Sequence, residues 1–89
     1  MIHKKVRVKG KVQGVFYRAS TADKAKELGL KGFVLNEPQG SVYMEIEGEE
    51  SDVNKMIIWA GVGPPRAKVD ELEMIDGPVQ GFKGFEIRR

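Results

Sequence analysis

Gly10-Lys11-Val12-Gln13-Gly14-Val15-Phe16-Tyr17-Arg18 is the stretch around which the chain is organised. Before it, residues 2–12 alternate. Ile2, Val6, Val8 and Val12 share one parity, and His3, Lys5, Arg7, Lys9 and Lys11 share the other. A period of two predicts a strand with one buried face. After it, residues 18–28 carry Ala19, Ala22, Ala25 and Leu28 among good helix formers, with no proline, which predicts a helix. The stretch is therefore a strand-to-helix junction with two glycines and a terminal arginine. Glycine lets backbone N–H groups close around an anion, since no Cβ blocks the approach. The helix start adds unpaired N–H groups and the positive end of its dipole. Arginine adds a planar fork of donors matched to phosphoryl oxygens. These parts suit a phosphate cradle. The same residues would also serve as a tight connection with a surface arginine.

Outward from the junction, Gly29 is placed to cap the helix in a left-handed conformation, with Leu30 packing back. Residues 32–36 form a second strand and residues 41–47 a third, joined by the turn Glu37-Pro38-Gln39-Gly40. Val42, Met44 and Ile46 define the buried parity of the third strand, and Tyr43, Glu45 and Glu47 the opposite one. Ser51 is the expected N-cap of a second helix. Val53, Met56, Ile57 and Ala60 form its apolar stripe, and Gly61 with Gly63-Pro64-Pro65 stops it. A fourth strand spans about residues 66–75. Its apolar parity changes between Val69 and Leu72, so a β-bulge is expected near Asp70-Glu71. Residues 77–84 read as a loop, and Phe85-Glu86-Ile87 as a short edge strand. The order is that of an α+β, ferredoxin-like βαββαβ sandwich, an antiparallel sheet covered on one face by two helices.

The bulk properties narrow the function. The 89 residues fit a single domain, 1–89. A chain of this size buries roughly 60–70% of its unfolded surface, enough for a modest core. Without cysteine, thiol catalysis, disulfides and cysteine-held zinc or iron–sulfur centres are excluded. The lack of cysteine fits a reducing cytoplasm. No apolar run approaches the ~18 residues of a membrane helix. Met1-Ile2-His3-Lys4-Lys5-Val6 alternates and does not resemble a signal peptide. A net charge of +2 and a pI near 9.0 suit an anionic small molecule and give little support to nucleic acid.

The chain resembles the acylphosphatase family. Residues 10–18 match its signature Gly-x-Val-Gln-Gly-Val-x-(Phe/Tyr)-Arg at every defined position. Gly32-Phe33-Val34, Asn36, Gly40, Val42 and Gly48 resemble its second signature, with Leu35 departing from the usual residue. Gly63-Pro64-Pro65 and Gly84-Phe85-Glu86-Ile87-Arg88 are also similar, so the resemblance covers nearly the whole chain. It implies hydrolysis of acyl phosphates to a carboxylate and inorganic phosphate. It also implies that Arg18 binds the phosphoryl group within a loop of Val12, Gln13, Gly14, Val15, Phe16, Tyr17 and Arg18, while Asn36 orients the attacking water.

The topology supports this division. The first two strands would run parallel with the third between them. Two strand spacings, roughly 9–10 Å, would bring Arg18 and Asn36 to one phosphoryl group. A carboxylate leaves readily from phosphorus, so no general acid is needed, and phosphoryl transfer rests on positioning and charge stabilisation. No metal, no cofactor, no nucleic acid and no membrane are expected, and a monomer is. His3 is expected to be a solvated residue on the polar face, and Met56, Trp59 and Phe82 to be packing residues. Glu45 and Glu47 are expected near Arg7 and Lys9 in cross-strand charge pairs. Two other functions compete with this one. An RNA-binding platform would want more than the single Tyr43 on its open face. An accessory role would have the chain handling carbamoyl phosphate for a larger enzyme.

Overall fold

The computed structural model describes residues 1–88. In chain order the elements are β1 (Ile2–Lys11), α1 (Tyr17–Glu27), β2 (Lys31–Asn36), β3 (Val42–Gly48), α2 (Glu50–Ala60), β4 (Lys68–Gly77) and β5 (Phe85–Ile87). The strands form one sheet in the order β4-β1-β3-β2-β5. β1 is antiparallel to both β3 and β4, and β2 is antiparallel to β3. β1 and β2 therefore point the same way, and their C-terminal ends open on one edge. β5 pairs with β2 in parallel, Gly32 opposite Phe85 and Val34 opposite Ile87. This is the expected ferredoxin-like sandwich, except that the parallel β5 edge makes the sheet mixed where an antiparallel one was expected.

The buried parities of the strands meet the helices in one core. Val6, Val8, Val12, Val34, Val42, Met44 and Ile46 pack with Ala22, Ala25, Val53, Met56 and Ala60. Small alanines on α1 let that helix lie close to the sheet. Its end forms the expected left-handed cap: Leu30 N–H donates to the Ala25 carbonyl at 2.8 Å and Gly29 N–H to Lys26 at 3.1 Å. The bulge is also found. Lys9 pairs with Glu71 and Gly10 with Val69, so Asp70 is the extra residue. Gly10 has φ +131°, and a Cβ there would sit 2.2 Å from the Lys68 carbonyl oxygen. Only glycine allows the strands to approach so closely.

Three local expectations need correction. The residue before α2 is Glu49, in an extended conformation without a side-chain cap, and Ser51 lies inside the helix. Glu50 and Asp52 place negative charge in the first turn, which favours a helix N-terminus without a hydroxyl cap. β4 begins at Lys68, because Ala67 N–H bonds to the Pro64 carbonyl at 2.9 Å and prolongs the preceding turn.

The third correction concerns the sheet face away from the helices. The β1–β3 register sets His3 opposite Glu47, Lys5 opposite Glu45, and Arg7 opposite Tyr43. His3 is buried, 2% exposed. Its Nδ1 lies 2.7 Å from Glu47 Oε2 and its Nε2 lies 2.8 Å from Glu45 Oε1. Phe82 stacks on its ring at 5.9 Å between centroids. Residues 78–84 fold across this end of the sheet and donate the Gln80, Gly81 and Phe82 amides to Glu47. Arg7 instead pairs with Glu37, and Lys9 with Glu71 and Glu73.

Candidate active site

The loop between β1 and α1 is pinned from below by two valines. Val12 and Val15 are buried in the core, so the intervening residues lie at the surface. Gly14 has φ +73°, and Phe16 has φ +62° as the one non-glycine residue with positive φ among those described. Left-handed residues of this kind make the concave turns from which anion nests are built. Phe16 occupies the N-cap position of α1 without a side-chain cap, and the first turn contains no acid. The amides at the helix start and the positive end of its dipole thus remain available to an anion.

Arg18 is the second residue of α1 and is half-buried. Among the described residues it forms no salt bridge. Asn36 is the last residue of β2. Its Oδ1 is buried and has no hydrogen-bond partner, a costly state for a polar atom in a finished core. Arg18 and Asn36 line the same pocket of about 800 Å³. Its other lining residues are Val12, Gly14, Phe16, Tyr17, Ala19 and Ile87.

The remaining loop residues lie elsewhere. Val15 points into the core. Gln13 acts as a strut: its Nε2 donates to the Glu37 carbonyl at 2.8 Å and the Ser41 carbonyl at 3.0 Å. It thereby ties the loop to the turn that follows Asn36. Glu37 fixes that turn further, accepting from Arg7 Nε at 2.7 Å, Arg7 Nη2 at 3.0 Å and Ser41 Oγ at 2.7 Å. The Arg7 hydrogen bonds hold the Glu37 carboxyl below its usual range against the opposing effect of burial, with Ser41 adding to them. Tyr17 buttresses α1 from beneath, its hydroxyl donating to the Ala60 carbonyl at 2.6 Å and its ring tilted against Trp59. Burial raises its phenol well above the ordinary value.

Sequence reasoning missed Ala19 and Ile87 as lining residues, and it missed the Arg7–Glu37–Gln13 support. Ile87 reaches the pocket through the parallel β2–β5 pairing, for which alternation gives no signal. No group of three or more potential metal-ligating side chains occurs among the described residues. None of the described helices is long and apolar enough to cross a membrane.

The family model for acylphosphatases matches residues 4–87. An acylphosphatase of Anaeromyxobacter dehalogenans is 44% identical over 89 residues, covering 98% of this chain and 95% of the relative. Among solved structures, an acylphosphatase from Coxiella burnetii superposes with a TM-score of 0.95 at 37% identity, over 98% of this chain and 92% of that one. An acylphosphatase from Bacillus subtilis gives a TM-score of 0.97 at 28% identity, with both chains fully covered. With the loop, the arginine and the asparagine gathered at one pocket, the chain belongs to the acylphosphatase family, the hydrolases that split the carboxyl–phosphate anhydride of acyl phosphates.

Proposed function

We propose that the pocket between the 12–18 loop and the end of β2 is where the acyl phosphate is hydrolysed, with Arg18 and Asn36 as its catalytic residues. The observation that carries this division of labour is that Arg18 and Asn36, brought together from the C-terminal ends of two parallel strands, line one pocket. An asparagine amide at that pocket wall suits a water molecule, which it can hold by hydrogen bonding while a lone pair is kept for phosphorus. The loop amides, the start of α1 and the Arg18 fork hold the equatorial phosphoryl oxygens and balance their charge. Water attacks phosphorus in line, the bond from phosphorus to the acyl oxygen breaks, and the carboxylate leaves with the bonding electrons. Carboxylic acids have pKa values near 4, so this leaving group needs no proton. The proton lost by the water passes to phosphate oxygen or solvent. No metal or cofactor takes part in this scheme. The reading extends to a single domain, 1–89, that works as a monomer in the cytoplasm, where a cysteine-free sequence is at home.

Asn36→Ala tests the scheme. An interaction realised mainly in the transition state lowers turnover and leaves ground-state binding intact. The expected loss is about 10²–10³ in kcat, as for removal of one oxyanion-hole donor, with inhibition by inorganic phosphate close to normal. Asn36→Asp is expected to be poor as well, since a carboxylate repels the phosphoryl oxygens. Weakened phosphate binding with unchanged kcat at saturation would move Asn36 into the ground-state site and refute the water-orienting role.

A further inference from the structure

Asn36 ends β2, and the ladder with β3 ends there too, at the pair Asn36–Val42. Beyond that pair the chain enters the turn 37–41, so the ladder supports Asn36 from its N-terminal side only. Pro38 and Gly40 are enough to make a turn, and the Glu37 N–H closes it on the Ser41 carbonyl at 2.8 Å. The Glu37 carboxylate is not needed for this, yet both its oxygens are engaged. Arg7 Nε donates to Oε1 at 2.7 Å, Arg7 Nη2 donates to Oε2 at 3.0 Å, and Ser41 Oγ donates to Oε1 at 2.7 Å. Arg7 stands on β1, with β3 between it and β2. Its guanidinium passes over the Tyr43 ring, 5.5 Å from the centroid, to reach the turn. Glu73 of β4 lies 3.8 Å from the remaining nitrogen, Nη1. Glu37 thus lies with Arg7 and Tyr43 on the open face of the sheet, while Asn36 lines the pocket on the other side. The pair grips the backbone next to Asn36 from behind. A lone exposed ion pair adds little to stability, but a two-point contact of this kind fixes orientation as well as distance.

We propose that Glu37 and Arg7 are positioning residues for the hydrolysis: their pairing fixes the orientation of Asn36 and so sets the turnover number, without a part in phosphate binding. This rests on the reading of Asn36 as the residue that orients the attacking water. Neither Glu37 nor Arg7 lines the pocket, so their action passes through the backbone. Water has to meet phosphorus opposite the leaving carboxylate, and a misplacement of about 1 Å can cost on the order of 10² in rate. The phosphoryl group is held separately, by the 12–18 loop and Arg18. The turn does touch that loop, since Gln13 Nε2 donates to the Glu37 carbonyl at 2.8 Å. That bond is made to the main chain and does not depend on the Glu37 carboxylate. Without the ion pair, Asn36 and its water lose their fixed orientation while the phosphate cradle stays in place.

Two variants test the pair. Glu37→Gln keeps an acceptor for Ser41 and removes the charge, and Arg7→Lys keeps the charge and removes the planar fork. Calorimetric titration with inorganic phosphate gives the affinity and the fraction of competent sites in each preparation. Turnover of benzoyl phosphate is then read per competent site. Both variants are expected to lose about tenfold in kcat, with KM and the phosphate dissociation constant within about twofold of the unaltered enzyme. A role confined to stability would lower the competent fraction and leave kcat per site unchanged, and that result would overturn the proposal. So would weakened phosphate binding at unchanged kcat. Adding Glu37→Gln to Asn36→Ala checks the route. The double variant should match Asn36→Ala alone, because no amide is left to position. A further tenfold loss in the double variant would overturn the positioning role and leave that of Asn36 standing. Full kcat in Asn36→Ala itself would instead refute the water-orienting role, and the positioning role with it.

Discussion

Replacing Glu47 with glutamine should destabilise the fold by about 2–3 kcal/mol, mostly through the residue 78–84 loop. Both carboxylate oxygens are fully used. Oε2 accepts from His3 Nδ1 and the Gln80 amide, and Oε1 accepts from the Gly81 and Phe82 amides, each at 3.1 Å. Glutamine keeps the shape but turns one oxygen into an NH₂ donor. Whichever way the amide rotates, its nitrogen meets at least one backbone N–H. A buried donor left unsatisfied costs about 1–3 kcal/mol, and the surviving bonds lose their charge assistance. Water reaching the partly exposed loop recovers some of this, which sets the upper end of the range. For a chain of this length the effect is a fall of about 10–20 °C in Tm, read by circular dichroism. Burial alone would raise the Glu47 carboxyl. The Gln80 amide, His3 and the amides of Phe82 and Gly81 outweigh it, so its pKa is held below 4.5. That stabilisation is complete above about pH 4.5, the unfolded value, and is lost as pH falls through the folded value. The gap between the two proteins should therefore narrow with acidification. A Tm loss under about 4 °C at pH 7, or a gap independent of pH, would refute the accounting of these four bonds.

Arg18→Lys keeps the charge and loses the planar fork, so it should fold normally and lose most activity together with most inhibition by phosphate. Near-normal kcat/KM would show that charge alone suffices. Activity should survive exhaustive chelation, and a loss restored by one particular added metal would sink the metal-free scheme. Gly10→Ala should destabilise by about 2–4 kcal/mol in urea unfolding, because its Cβ would strike the Lys68 carbonyl at 2.2 Å in a left-handed conformation. A smaller loss would mean that the β1–β4 bulge yields easily.

The sequence made the frame of this molecule legible because local chemistry and tertiary demand agree there. Alternation placed Val6, Val8, Met44 and Ile46 in the core. The parity change between Val69 and Leu72 located the bulge at Asp70. Arg18 and Asn36 came from motif and topology, and they line one pocket. His3 departs from the expectation of a solvated residue for a physical reason. A period of two assigns a residue to a face and says nothing about whether a distant segment covers that face. Residues 78–84 do cover it, and Glu47 binds them there. The partners of Arg7 escaped for a related reason, since Glu37 comes from a turn and lies outside the strand ladder. The left-handed backbone of Phe16 had no signal at all, as glycine and asparagine are the residues that announce one.

The place of β1 between β3 and β4 has a consequence for how the molecule comes into being. Ile2 pairs with Gly48 and His3 with Gly77, so the first strand of this sheet closes loops of about 45 and 75 residues. Such distant pairings put folding in the millisecond-to-second range of sheet-rich domains, well behind helical bundles of equal size. The loop that carries Arg18 hangs from the end of this late-settling strand. Inorganic phosphate should then find nothing to grip until the sheet is complete. Added to a refolding experiment followed by Trp59 fluorescence, it should slow unfolding and leave the folding rate unchanged. Faster folding with phosphate would mean that the loop assembles ahead of the sheet.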